Sequence, residues 1–179
     1  MNIEPTGRRE TRSFGEAVVF DRRLPVGIDD AWAAFADPDR LQRWIGVWDG
    51  DPRSGTVVFR MTAEGADAPE ESVQIQECTP PRRLRLRIGA LERPDQADQP
   101  DQPEQHWDYE IDFAESGGAT TVTFAASANG IYPVSDTAPG WEYYLDRLAA
   151  DYGGTDVARI DFSRDYYPAM CEHYRVLFA

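Results

Sequence analysis

Two stretches of strict alternation do most to limit what this chain can become. In Arg-Arg-Leu-Arg-Leu-Arg-Ile, residues 82–88, the side chains of Leu84, Leu86 and Ile88 take one face of an extended strand and Arg83, Arg85 and Arg87 the other. In His-Trp-Asp-Tyr-Glu-Ile-Asp-Phe, residues 106–113, Trp107, Tyr109, Ile111 and Phe113 alternate with Asp108, Glu110 and Asp112. If the two strands are antiparallel neighbours, three arginines lie opposite three acids. Such cross-strand pairs add roughly 0.2–1 kcal/mol each. The arginine run therefore reads as half of a solvated, charged sheet face rather than as a patch for nucleic acid.

Other segments share this period. Val57, Phe59 and Met61 alternate in 56–62, as do Val73 and Ile75 in 71–77. Glu77 continues the inward register of Val73 and Ile75, unless a bulge turns it out. In 120–128, Val122, Phe124, Ala126 and Ala128 face inward. A sheet with one apolar face must cover it. The cover is encoded in Gly-Trp-Glu-Tyr-Tyr-Leu-Asp-Arg-Leu-Ala-Ala-Asp-Tyr-Gly-Gly, residues 140–154. Trp141, Tyr144, Leu145, Leu148 and Tyr152 recur at helical spacing, and Glu142, Tyr143, Asp146, Arg147 and Ala150 take the opposite side. Gly153 and Gly154 supply a left-handed stop.

Residues 1–12 read as a flexible tail, followed by a strand in Ser-Phe-Gly-Glu-Ala-Val-Val-Phe-Asp-Arg-Arg-Leu-Pro. Residues 28–46 read as two short helices. Asp37 caps the second, Pro38 opens it, and Leu41, Trp44 and Ile45 form its buried face. Residues 91–105, rich in Pro, Asp and Gln, read as a long mobile loop. The order is strand, two short helices, about five antiparallel strands and a long helix, an α+β class. Residues 13–154 form the domain. Residues 155–179 form an extension, with Met170, Tyr174, Leu177 and Phe178 at helical spacing for docking on that domain.

Composition closes several routes. A formal charge of −14 repels phosphate backbones and anionic membranes. No apolar run reaches membrane-spanning length, and the polar N-terminus lacks a signal core. Cys78 and Cys171, far apart and without a motif, fit a reducing cytoplasm. His106 falls on the charged face. His173 with Cys171 offers too few ligands for zinc. No phosphate loop or nucleophile elbow is present, so no cofactor, metal or catalytic residue is expected.

Several motifs occur in order: Trp32, Asp37-Pro38, Leu41 with Trp44, the proline-led entry to a strand within 77–88, the step into the strand at 116–124, and the helix from Gly140. In these, residues 14–154 resemble the START/birch-allergen-like (SRPBCC) superfamily, in the branch similar to the activator of the heat-shock-protein-90 ATPase homologue. The resemblance implies a helix-grip fold, with a curved antiparallel sheet wrapped around a long C-terminal helix and enclosing a cavity. It also implies a role in binding lipids, hormones or polyketides, in cyclisation, or in assisting chaperones. The eukaryotic activator carries an additional N-terminal domain, for which this chain has no room.

Three functions stay open: a binder of a small apolar, aromatic or acyl ligand, a cyclase or hydratase using Tyr and Asn hydrogen bonds, and a chaperone-related interaction protein. The near absence of inward ionisable groups favours the binder, as a monomer or homodimer. Its expected cavity lies under the long helix. Phe59, Met61, Trp107, Tyr109, Phe124 and Ala126 come from the sheet, with Asn129 at a strand end. Trp141, Tyr144 and Leu148 come from the helix, and Trp44 and Trp48 cap one end. Ala126 and Ala128 are expected to leave room for the ligand.

Overall fold

The computed structural model describes residues 3–65, 67–90, 106–129 and 132–179. The loop assigned to 91–105 lies outside the described residues. Eight antiparallel strands form one sheet in the order β1-β2-β8-β7-β6-β5-β4-β3. They are β1 (Arg8–Arg12), β2 (Gly15–Leu24), β3 (Val47–Asp49), β4 (Thr56–Arg60), β5 (Glu70–Thr79), β6 (Arg83–Ala90), β7 (His106–Ser116) and β8 (Ala119–Ser127). The helices are α1 (Ile28–Ala36), α2 (Pro38–Leu41), α3 (Val134–Gly153), α4 (Phe162–Asp165) and α5 (Cys171–Leu177). This is the helix-grip arrangement.

The alternating strands pair as their charges suggest. Arg83 lies opposite Asp112, Arg85 opposite Glu110 and Arg87 opposite Asp108. The Arg83 guanidinium donates to Asp112 Oδ1 and Glu110 Oε2, each at 2.9 Å, and Arg87 Nε donates to Asp108 Oδ1 at 2.9 Å. The outer face is not charged throughout. Ala17, Val19 and Ala125 form a small buried apolar patch there, with Phe14 packed against it.

Several elements depart from expectation. The segment taken as a flexible tail supplies β1, an edge strand paired in register with β2 from Arg8–Val19 to Arg12–Gly15. Residues 47–49, just beyond the two short helices, form β3. Gly46 itself is required by close approach, because a Cβ there would meet the Arg60 carbonyl oxygen at 2.1 Å. A bulge between Ile75 and Glu77 resets the pleat of β5. Glu77 therefore turns outward to pair with Arg83 at 3.3 Å. The long helix begins at Val134, six residues before Gly140, and holds Pro139 in its second turn. Gly154, at φ 71°, forms its left-handed end.

The largest departure concerns the back of α3. Glu142 and Asp146 sit on the side assigned to solvent, yet Glu142 is 0 % exposed. Residues 155–179 fold back across α3, burying Tyr166, Met170 and Tyr174. The N-terminal segment closes the same space. Glu142 accepts hydrogen bonds from Thr6 N at 2.5 Å, Thr6 Oγ1 at 2.8 Å and Gly7 N at 3.0 Å. It also accepts from the Tyr174 hydroxyl and from Arg22 Nη2 at 2.6 Å. Asp146 accepts from Arg22 Nε at 2.8 Å and from the Tyr166 hydroxyl at 2.7 Å. Arg22 stands on the inward face of β2 between Phe20 and Leu24. The helix is thus packed on two sides, and five segments of chain meet at one buried ion pair.

Candidate functional site

With β2 and α5 packed on α3, the open space in the fold lies elsewhere under the sheet. A cavity of about 250 Å³ sits between β4–β7 and the α1–α2 pair. Its floor is made by Val57 and Phe59 of β4, Val73 and Ile75 of β5, Leu84, Leu86 and Ile88 of β6, and Tyr109 and Ile111 of β7. These are the inward members of the alternating strands. The roof is Trp32 and Phe35 of α1, Leu41 of α2, and Trp44, Ile45 and Trp48 just beyond it. Phe124 and Trp141 close the side toward α3, with ring centroids 4.6 Å apart. Pro52, Cys78 and Pro80, all exposed, stand at the mouth.

Local sequence explains the roof. Asp37 ends α1 and caps α2, accepting from Asp39 N at 2.9 Å, with Pro38 at the first helical position. The tight turn lets Trp44 Nε1 donate to Ala34 O at 3.0 Å, which locks the two short helices together. Edge contacts of Phe35 with Trp44 (5.1 Å) and with Phe113 (5.3 Å) seat the pair on the sheet. Arg147 of α3 donates to Trp44 O at 2.9 Å.

Six of the twelve residues expected in the site line this cavity: Trp44, Trp48, Phe59, Tyr109, Phe124 and Trp141. The other six do not. Met61 follows the last residue of β4, so its alternation has ended, and it packs against the core from a turn. Trp107 has the inward register but stacks on Tyr132 at 6.5 Å instead. Ala126 is 2 % exposed and Leu148 0 %. Both are in the closed core, where α3 packs on β2. Tyr144 is buried beside Tyr143 and Trp141. Asn129 lies past the end of β8 and is exposed. The cavity lies away from the centre of α3, toward α1 and α2. Its missed members on the sheet were visible as inward residues of β5 and β6. The bulge that brings Cys78 to the mouth had no such signal.

The wall is almost wholly carbon. Its side-chain polar groups are the Tyr109 hydroxyl, the Cys78 thiol and indole N–H groups. Tyr109 is 7 % exposed. Burial, with the charges of Glu71 and Asp108 adding to it, pushes its phenol above the ordinary range, so it stays protonated at neutral pH. Among the described residues, no three His, Cys, Asp or Glu side chains converge on a metal position, and no helix is long and apolar enough to cross a membrane. A second groove, of about 640 Å³, runs outside along the β3–β4 edge, where the exposed charges of Asp49, Arg60 and Glu70 limit apolar burial.

The family model for Activator of Hsp90 ATPase homolog 1-like protein matches residues 25–152, which contain the roof, the floor and α3. The chain belongs to this family. The family's fold is shared with polyketide cyclase-like and ligand-binding proteins. Among solved structures, the chain is similar to CalU16 from Micromonospora echinospora, at 23 % identity and a TM-score of 0.67, covering 97 % of this chain and 96 % of that one. It is also similar to a protein of unknown function, EF2215, from Enterococcus faecalis, at 14 % identity and a TM-score of 0.66, covering 96 % and 90 % of the two chains. DynU16, described as a putative protein in the dynemicin biosynthetic locus, matches at 22 % identity and a TM-score of 0.59, over 78 % of this chain and 48 % of that one. At these identities the likeness establishes the fold alone. No curated protein matches the chain significantly.

Proposed function

We propose that this member of the Activator of Hsp90 ATPase homolog 1-like family binds a small, largely apolar molecule, aromatic or acyl, in the cavity between β4–β7 and α1–α2. The single observation that carries this reading is an aromatic-lined space of about 250 Å³ with a mouth at Pro52, Cys78 and Pro80. An apolar cavity of about 150 Å³ accepts a benzene ring, so this one suits a frame of about two fused rings. Such a frame buries on the order of 300 Å² of apolar surface, worth about 7 kcal/mol before the costs of association. Affinity for a plain hydrocarbon should therefore fall at tens of micromolar or weaker. Binding is favoured over acid–base turnover because, among the described residues, the lining contains no carboxylate or histidine.

The test is fluorescence titration with N-phenyl-1-naphthylamine, a neutral apolar dye. Enhancement should saturate in the wild-type protein and be lost in Leu86→Trp, which fills the floor of the cavity. It should survive in Tyr152→Phe, a change at a half-buried ring outside the cavity. No saturable enhancement, or enhancement indifferent to Leu86→Trp, would sink the reading.

A further inference from the structure

Tyr109 stands in the middle of β7, in register with Leu86 on one side and Ala126 on the other. Its ring is held by Phe124 (5.6 Å) and by the edge of Trp141 (5.2 Å), and all four neighbours are apolar or aromatic. Among the described residues, no hydrogen bond reaches its hydroxyl. The two fully buried tyrosines behave differently. Tyr166 donates to Asp146 and Tyr174 donates to Glu142. The Tyr109 hydroxyl is not sealed in the core, since among the described residues the fully enclosed side-chain polar atom without a partner is Arg12 Nε; Tyr109 instead lines the cavity, and phenylalanine would serve the packing as well. The polar atom therefore belongs to a side chain that borders the cavity, within reach of an occupant.

We propose that the ligand is a neutral molecule with a hydrogen-bond acceptor, a carbonyl or ether oxygen on an apolar frame, and that the Tyr109 hydroxyl donates to this oxygen. The proposal rests on the cavity reading above and deepens it. Two further observations support it. The side-chain polar groups of the wall are mainly donors: the Tyr109 hydroxyl and the indole N–H groups of Trp48, Trp32 and Trp141, which have no acceptor among the described residues, whereas that of Trp44 is spent on Ala34. A wall of donors selects a ligand with acceptors. The charges nearest in effect to Tyr109 are the carboxylates of Glu71 and Asp108. Glu71 pairs with the cavity residue Phe59, so it shares the inward face of the sheet. Among the described residues the lining holds no Lys, Arg or His. With a chain charge of −14 adding to the local field, an anionic head such as a carboxylate is disfavoured.

Three probes of one frame separate these features: indane, 1-indanone and indane-1-carboxylate, each titrated by displacement of N-phenyl-1-naphthylamine. Tyr109→Phe should leave indane affinity unchanged or improved and weaken 1-indanone about tenfold, as loss of one net hydrogen bond would. The carboxylate should bind more than about tenfold weaker than the ketone at neutral pH, with the gap narrowing in high salt. The denaturation midpoint of Tyr109→Phe should be unchanged or raised, which confirms that the variant folds. Equal ketone binding in Tyr109→Phe, or a carboxylate that binds as well as the ketone, would overturn this inference while leaving the cavity reading in place. If neither indane nor the dye binds the wild-type protein, both fall together.

Discussion

Replacing Glu142 with Gln tests whether the buried ion pair holds the two ends of the chain against α3. The change keeps side-chain volume, so no cavity term enters. It removes the charge and turns one oxygen into an NH2 group. In the native protein the carboxylate accepts from Thr6 N, Thr6 Oγ1, Gly7 N, Tyr174 and Arg22. An amide NH2 in that position faces donors whichever way it is flipped. Arg22 keeps Asp146 at 2.8 Å, but its guanidinium, 8 % exposed, loses its more buried counter-charge. Hydrogen bonds to charged groups are worth about 1.5–3 kcal/mol each, so summing five overshoots, because the unfolded chain regains water. Breaking one partner of a buried pair costs about 3–5 kcal/mol, and the surviving Asp146 bond places the expectation near the lower figure. That is a large part of the ~5–15 kcal/mol that stabilises a typical domain.

The assay is urea denaturation, combined with hydrogen exchange at the amides of residues 6–12, which should lose protection most. The pH dependence has a definite sign. Burial pushes Glu142 upward, but the Tyr174 hydrogen bond and the charge of Arg22 outweigh it and hold the carboxyl below its ordinary range. Its contribution is thus fully present above the unfolded value of about 4.3 and is lost as pH falls below that toward the folded value. Wild-type protein and Glu142→Gln should converge in stability on acidification. A destabilisation below about 1 kcal/mol at neutral pH, or a gap that persists unchanged below pH 3, roughly, would refute the reasoning.

Two further outcomes follow from the cavity. Trp141→Ala should cost about 3 kcal/mol in chemical denaturation, at the low end for a large-to-small change, because the half-buried indole already borders open space. A loss under about 1 kcal/mol would mean that its contacts with Phe124 and Tyr109 contribute little. With a disulfide reagent near neutral pH, Cys78 should react well before Cys171. Cys78 is exposed at the mouth, whereas Cys171 is half-buried and its thiol is pushed up by burial and by Asp136. Saturating dye should slow the fast phase, Cys78→Ser should remove it, and equal rates at both thiols would argue against this placement.

Some of this molecule was written locally. Alternation in 83–88 and 106–113 fixed which side chains meet the core, and the opposite charges on the two strands fixed their pairing, because a one-residue slip would turn Leu84, Leu86 and Ile88 to water. The capping pair Asp37-Pro38 likewise marked the corner between α1 and α2 that roofs the cavity. Those signals span a few residues, and the pleat or the helical turn converts them directly into geometry. Other features depended on partners far along the chain. Glu142 reads as a solvent-facing helical residue until Arg22, 120 positions away, and Thr6, 136 positions away, close over it. The polar back of α3 therefore looked like a surface when it is an interface. Alanines in β8 suggested room beneath α3, but how closely a helix approaches a sheet is set by everything packed behind it. Helix α5 packs on α3 and α3 on β2, and the space opens instead beneath α1 and α2. The floor residues were legible as inward-facing; that they line a void, while Ala126 and Leu148 do not, was decided only by the packing of the whole chain.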